Sequence, residues 1–335
     1  MKFLLLCCIT NLLFVSCNRN INSTIKISGE AQGTSYNITY LAGSHSNYRE
    51  SFDSIFKKID LSLSTYLPAS LISRINRNDT TVIMDDYFTD VFNKSIEVSE
   101  KTNGLFDVTV APIVNAWGFG FSKREKVDAV LIDSLLKFIG YKKVRWEGKK
   151  LVKDIPQVML DFNAIAQGYT VDVLASFLES KHINNYLVEV GGELRSKGKR
   201  LGNSRWVVGI EQPNEIPATS LKAVIKIEDK ALATSGNYKK YYVEDGKKYT
   251  HIINPFTGYP AKNNLLSATV IAGNCMTADA YATAFMVMGL EKSKAFLSKN
   301  KELGLEVYFI YDDSGVSKTY TSEKFAAVEN IALVN

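Results

Sequence analysis

The sequence predicts an α+β protein, mainly antiparallel sheet packed with helices in one compact body. Three observations carry that expectation. Segments with apolar residues at helical spacing alternate with short extended runs, but no regular strand–helix–strand repeat appears, which argues against a doubly wound parallel sheet. Extended runs also meet across short turns, as hairpins do. Finally, 335 residues that are 46% hydrophobic and 22% charged suit a sizeable core, and no internal repeat, low-complexity tract or linker marks a boundary.

The chain opens with "MKFLLLCCITNLLFVSC", in which Lys2 precedes an apolar run of signal-peptide length, too short to span a bilayer comfortably. Phe14-Val15-Ser16-Cys17 is similar to a bacterial lipobox, with Phe14 where Leu is usual. Residues 1–16 are therefore expected to be a lipoprotein-type signal peptide, with lipid on Cys17, a polar tether over 17–26 and the folded region over 27–335. The alternative is a plain signal peptide with a chance Cys. Of the four cysteines, Cys7 and Cys8 would leave with the signal and Cys17 would be blocked. Cys275 is then the one free thiol, with no disulfide partner, and is read as a small core residue rather than a nucleophile.

"SYNITYLAG" predicts a strand, and "YRESFDSIFKKIDLSLSTY" a helix with Phe52, Ile55, Phe56, Ile59 and Leu63 on one face. "DYFTDVFNKSIEVSEKTNG" predicts a second helix that stops at Gly104, and "VDAVLIDSLLKFIGY" a third. "KVRWEGKKLVKD" reads as a hairpin turning at Glu147-Gly148. "AIAQGYTVDVLASFLESKH" is a long helix with Ile165, Val171, Leu174, Phe177 and Leu178 on its apolar side. "NYLVEVGGELRSKGK", "RWVVGIEQP" and "LKAVIKIEDKALATSG" read as strands, "CMTADAYATAFMVMG" as a buried helix and "EVYFIYDDSGVSKTY" as a closing hairpin. The formal charge of +5 is modest and the lysines are scattered, so nucleic-acid binding is not expected.

Five stretches suggest chemistry more than packing. They are "STYLPASLISRIN", "GLFDVTVAPIVNAWGFG", "DFNAIAQGYTVD", "ALATSGNYKKYY" and "YTHIINPFTGYP". In the second, Asp107 and Thr109 alternate along a presumed extended run and share a face with Leu105. The third is a loop opening into a helix whose N-terminus suits a phosphate. The fourth reads as a small-residue turn followed by aromatics and lysines, and the fifth holds one of three histidines in a Pro- and Gly-rich turn. Each alone is equally consistent with a structural turn. The buried helix adds Asp279 and Thr283, four residues apart and so on one face. On the residues alone, that pair could hold a cation. Alternatively, Asp279 could complement a helix start capped by Thr277, with Thr283 bonded back to the preceding turn.

Taken in order, these pieces resemble the ApbE family, the FAD:protein FMN transferases. "GTSY", "VEVGGE" and "TADAYATA" join the five stretches above, and the resemblance runs from about residue 27 to about residue 330. It implies an enzyme that binds FAD and a divalent cation, usually magnesium. Such an enzyme breaks the FAD pyrophosphate, joins the FMN phosphoryl to a Thr or Ser hydroxyl of a target protein and releases AMP. The implied targets are subunits of membrane redox pumps of the Nqr and Rnf type, with an acceptor segment like Asp-Gly-Ala-Thr-Ser/Thr-Ala. The implied site is a bacterial periplasmic one, with the lipid anchor in the inner rather than the outer membrane.

Residue by residue, the resemblance places the metal on Asp279, Thr283 and the carbonyl of Ala164. It places FAD against Gln32, Tyr66, Phe106, Asp107, Asp161, Gln167 and Ile253. Tyr66 could stack on a cofactor ring or simply pack in the core. Gln167 departs from the family's usual Lys and supplies a hydrogen bond without a charge. His251 is the best candidate proton acceptor, with Asp279 or a metal-bound water as the rival; the same turn could equally use His251 to position phosphate or to hydrogen-bond the backbone. Two other readings use the same residues: a magnesium-dependent FAD pyrophosphatase that yields FMN and AMP, and a non-catalytic FAD-binding lipoprotein that would not need the Asp279–Thr283 pair.

Overall fold

The computed structural model describes residues 23–43, 46–213, 221–238, 240–326 and 332–333. The expected signal peptide and Cys17 lie outside the described residues. Strand β1 (Ser23–Ala31) turns through Gln32-Gly33 into β2 (Thr34–Ala42). Helices α1 (Arg49–Leu63), α2 (Leu71–Asn76), α3 (Asp86–Lys101), α4 (Ala111–Ala116) and α5 (Ala129–Leu136) follow, then the hairpin β3 (Val144–Glu147) and β4 (Lys150–Lys153). Helix α6 (Ala166–Ser180) leads into β5 (Tyr186–Val190), β6 (Glu193–Lys197), β7 (Trp206–Glu211), β8 (Leu221–Ile227) and β9 (Ala231–Gly236). A small hairpin, β10 (Tyr241–Glu244) and β11 (Lys247–Thr250), precedes β12 (Leu265–Ala272), α7 (Cys275–Met288) and α8 (Leu290–Lys299). The chain closes with β13 (Glu306–Asp313), β14 (Val316–Thr321), α9 (Glu323–Ala326) and β15 (Ala332–Leu333).

Eight strands form the main sheet in the order β1-β2-β5-β6-β9-β12-β13-β14, and every neighbouring pair is antiparallel. This is the α+β architecture that the sequence predicts. The period-2 pattern explains how the sheet is covered. Tyr36, Ile38 and Tyr40 of β2 point into a cluster with Phe52 and Phe56 of α1 and with Val171, Leu174 and Leu178 of α6. Ala268 and Val270 of β12 join α7 in a second cluster. Ile271, the residue after Val270, faces the opposite way with Tyr308 and Ile310 of β13, onto Trp206, Val208 and Ile225 of β7 and β8. Helix α7 is apolar almost all round because it lies inside, against α6, α3 and the sheet. None of the helices among the described residues is long and apolar enough to cross a membrane.

Two local expectations change, one is refined and one is decided between two readings. Residues 23–26, expected as tether, already belong to β1, where Ser23 pairs with Ala42 and Lys26 with Thr39. Their polar character misleads because β1 is an edge strand whose outer side faces water. Helix α3 ends at Lys101, and the chain leaves it through Asn103 (φ 51°) and Gly104 (φ 80°), close to the predicted stop. The run around Asp107 is a turn, not an extended segment. Of the two readings of "ALATSG", strand and small-residue turn, the structure has the strand, central in the main sheet.

Candidate functional site

The start of α6 and the middle of α7 meet at Gly168. A Cβ on that residue would sit 2.5 Å from the carbonyl oxygen of Cys275 and 2.8 Å from Cβ of Asp279, so only glycine allows this approach. The Gly168 N–H donates to Oδ2 of Asp279 at 3.0 Å. In a longer helix that N–H would serve the carbonyl four residues back, which is Ala164. Instead α6 begins at Ala166, after Ile165 at φ −155°. Among the described residues, the Ala164 carbonyl accepts no hydrogen bond.

Asp279 is 8% exposed, and burial pushes its carboxyl up to about 7, partly opposed by the Gly168 N–H. A carboxylate held there favours a compensating cation. Thr283 follows one turn later on α7 and is half-buried. The alternative role for this pair does not hold, because α7 is capped by Asn274, whose side chain accepts from the N–H of Thr277 at 2.9 Å. No side-chain hydrogen bond ties Thr283 to the preceding turn among the described residues. A carboxylate, a hydroxyl and a free carbonyl form an all-oxygen donor set that fits magnesium, which takes few protein ligands and keeps waters or substrate phosphates. No group of three or more His, Cys, Asp or Glu offers another metal site among the described residues.

Gln167 reaches the neighbouring strand end, where its Nε2 donates to the Val190 carbonyl at 2.9 Å. It lies over Gly191 (φ 63°), where an added Cβ would overlap Nε2. The Gly191 N–H in turn donates to Ser35 at 2.9 Å, which brings the β1–β2 turn to the same corner. Gln32 occupies that turn at φ 54°, a conformation that non-glycine residues rarely adopt, and donates to Asp60 at 3.3 Å.

The opposite wall is built around Asp161. Its N–H donates to Val108 at 2.8 Å, and its Oδ1 accepts from the N–H of Asn163 at 2.7 Å. Burial raises its pKa, countered by the Asn163 bonds and by the nearby Lys240 charge. Tyr66 lies beside Asp161 and Asn163 but is 60% exposed, so it is a free aromatic face and not a core residue. Asp107 holds the loop together: Oδ1 accepts from the N–H and hydroxyl of Thr109 at 2.8 and 2.6 Å, and Oδ2 from the Tyr141 N–H at 2.8 Å. The side chains of Phe106 (2% exposed) and Ile253 (6%) are core residues, so these two positions can meet a ligand only through their backbone.

His251 follows directly on β11. Its Nδ1 lies 3.0 Å from the Lys240 carbonyl. A carbonyl only accepts, so Nδ1 carries the hydrogen and Nε2 keeps its lone pair. Burial lowers the imidazole pKa, so the ring is neutral near pH 7. Phe119 meets the ring edge-on at 6.3 Å, and the Trp117 indole N–H donates to the Gly258 carbonyl at 2.8 Å, fastening the loop after His251 to α4. Lys240 thus connects His251 to Asp161, and the Asp161 loop runs on into Ala164. Sequence reasoning did not single out Gly168 or Lys240, although the spacing of Gly168 and Asp172, four apart in "GYTVD", placed both on one helix face.

A sequence model of the ApbE family matches residues 32–309. The FAD:protein FMN transferase of Vibrio cholerae serotype O1 is 36% identical over 324 residues, covering 94% of this chain and 95% of its own. That of Escherichia coli K12 is 35% identical, covering 79% of this chain and 77% of its own. The solved flavin transferase ApbE from Vibrio cholerae superposes with a TM-score of 0.82 at 35% identity, over 92% of this chain and 99% of that one. The apo flavinyl transferase ApbE of Pseudomonas stutzeri gives 0.82 at 29% identity, over 92% of this chain and 97% of that one. With the same fold and a sequence match over most of its length, this chain belongs to the ApbE family.

Proposed function

We propose that this protein transfers the FMN moiety of FAD to a Thr or Ser hydroxyl of a target protein, depends on magnesium and releases AMP. The observation that supports the reading is the α6–α7 contact at Gly168, whose N–H binds the buried Asp279 carboxylate and leaves the Ala164 carbonyl without a hydrogen bond among the described residues, with Thr283 one turn further along α7. When bound, the cation would supply charge neutralisation on the FAD pyrophosphate. The names of the relatives support the reaction class.

The chain's own residues supply the rest. Tyr66 offers an exposed ring for an aromatic cofactor face, and the turns carrying Gln32, Gln167 and Asp161 frame the cofactor. His251 Nε2 accepts the proton of the acceptor hydroxyl. The hydroxyl oxygen bonds to the flavin-side phosphorus, the bond from that phosphorus to the bridging oxygen breaks, and AMP leaves with the electron pair. The acceptor segment is of the Asp-Gly-Ala-Thr-Ser/Thr-Ala kind, on an Nqr- or Rnf-type redox subunit. Export, with lipid on Cys17 and anchoring at the periplasmic face of the inner membrane, puts the enzyme beside such a subunit.

The test is the intact mass of an acceptor protein carrying Asp-Gly-Ala-Thr-Ser-Ala, incubated with FAD, magnesium and the chain lacking residues 1–17. A gain of one FMN phosphoryl group, lost with EDTA and in Asp279→Ala, is expected. An unmodified acceptor with free FMN and AMP would replace this reading with a pyrophosphatase. An unmodified acceptor with intact FAD would replace it with a binding protein.

A further inference from the structure

The segment of α7 that carries Asp279 makes a second contact with α6, one turn beyond Gly168. Asp172 lies four residues after Gly168, and Cys275 four residues before Asp279, so two matched pairs face each other in antiparallel register. Gly168 meets Asp279 through its N–H at 3.0 Å. Asp172 meets the start of α7: Oδ1 accepts from the Cys275 N–H at 3.0 Å, and Oδ2 from the Met276 N–H at 2.8 Å. A carboxylate on two free N–H groups at a helix N-terminus is a strong, directional anchor.

Asp172 is itself held. Arg195 of β6 donates through Nη1 to Asp172 at 3.1 Å and through Nη2 to Glu179 at 3.2 Å. Glu179 also accepts from the Tyr186 hydroxyl at 2.5 Å and pairs with Lys197 at 3.4 Å. The side chains of Asp172 and Arg195 are 13% and 23% exposed, so water screens the pair only partly. The network fixes the rotamer of Asp172 against the main sheet, and Asp172 fixes α7 against α6.

We propose that Asp172, braced by Arg195, is a positioning residue for the magnesium site: it sets the register of α7 so that Asp279 and Thr283 face the Ala164 carbonyl. This inference rests on the metal reading of that site. Neither Asp172 nor Arg195 is among the residues assigned above to the ion or to FAD. Their removal lets the first turn of α7 shift without emptying the core. Groups that orient metal ligands typically change metal affinity by about 10- to 100-fold when altered.

The experiment compares the full chain in detergent with Asp172→Asn, Arg195→Lys and Asp279→Ala. Magnesium affinity is measured by calorimetry at saturating FAD without acceptor. FAD affinity is measured in EDTA. The alkylation rate of the buried Cys275 thiol is read from the mass of its peptide. Asp172→Asn is expected to weaken magnesium binding by about 10- to 100-fold, to leave FAD affinity in EDTA unchanged and to speed Cys275 labelling. Arg195→Lys, which still pairs with Asp172 but loses the fork to Glu179, is expected to lose less. A merely structural role would lower FAD and magnesium affinity together and so overturn the proposal. Wild-type magnesium affinity in Asp172→Asn would also overturn it, as would wild-type affinity in Arg195→Lys should Asp172→Asn not fold. Absence of magnesium binding in the unaltered chain, matching Asp279→Ala, would overturn the metal reading itself and this inference with it.

Discussion

At the scale of the residue, Asp279 is a buried acid whose burial pushes its pKa up to about 7. An unfolded Asp titrates near 4. Between about pH 4 and 7 the unfolded chain has lost this proton while the folded chain keeps it, so the metal-free protein loses stability as pH rises through that window and regains it as pH falls. In the proposed site magnesium would need the carboxylate, so binding would release the proton below about pH 7. Magnesium affinity is therefore expected to fall roughly tenfold per pH unit below 7 and to level off above it, measurable by calorimetry from pH 5.5 to 8. A flat profile in that range would contradict a ligand carboxyl raised to about 7 at Asp279. Gly168 makes a companion prediction. In Gly168→Ala the new Cβ meets backbone atoms of Cys275, which cannot swing away as a side chain can. The helices must part, which costs about 1–3 kcal/mol in urea unfolding, and magnesium binding should fall at least as far as in Asp172→Asn.

At the scale of the element, the hairpin β10–β11 is tied to the body by rings rather than by the main sheet. Trp117 stacks on Tyr249 at 5.2 Å, Tyr249 on Tyr242 at 5.3 Å and Tyr242 on Phe119 at 5.4 Å. Arg124 lies 4.1 Å over Tyr242 and pairs with Glu244. His251 follows this hairpin directly, so the ladder sets where the imidazole stands. Trp117→Phe keeps the stack but removes the hydrogen bond to Gly258, and is expected to cost about 1 kcal/mol of stability. It should lower the transfer rate more than FAD affinity, as steady-state kinetics against calorimetry would show. The sequence announced most helices and hairpins because their apolar periodicity is local. It did not announce β1, whose polar residues face water at a sheet edge, nor the turn at Asp107, whose alternation imitates a strand while its carboxylate binds the backbone of Thr109 and Tyr141.

At the scale of the whole molecule, the site is a convergence of segments far apart in the chain. The β1–β2 turn, the loop before α6, the β5–β6 turn, the segment around His251 and the middle of α7 all contribute. The residues proposed for it came from the sequence through the family resemblance, because the motifs are contiguous words. The contacts among them were not legible there, since Gly168 meets Asp279 across 111 residues and Asp172 meets Met276 across 104. Such an assembly predicts that substrate and cation stabilise the fold together. A ligand that binds only the folded state at 100 times its Kd adds about 2.7 kcal/mol, and in a protein of this size each kcal/mol raises Tm by roughly 2 °C. FAD with saturating magnesium is thus expected to raise Tm by roughly 5 °C over FAD with EDTA. Asp279→Ala should erase that increment while keeping the rise due to FAD alone. Differential scanning calorimetry of the two proteins under both conditions checks this. An increment that survives Asp279→Ala would place the cation on FAD phosphates alone, without the α7 carboxylate.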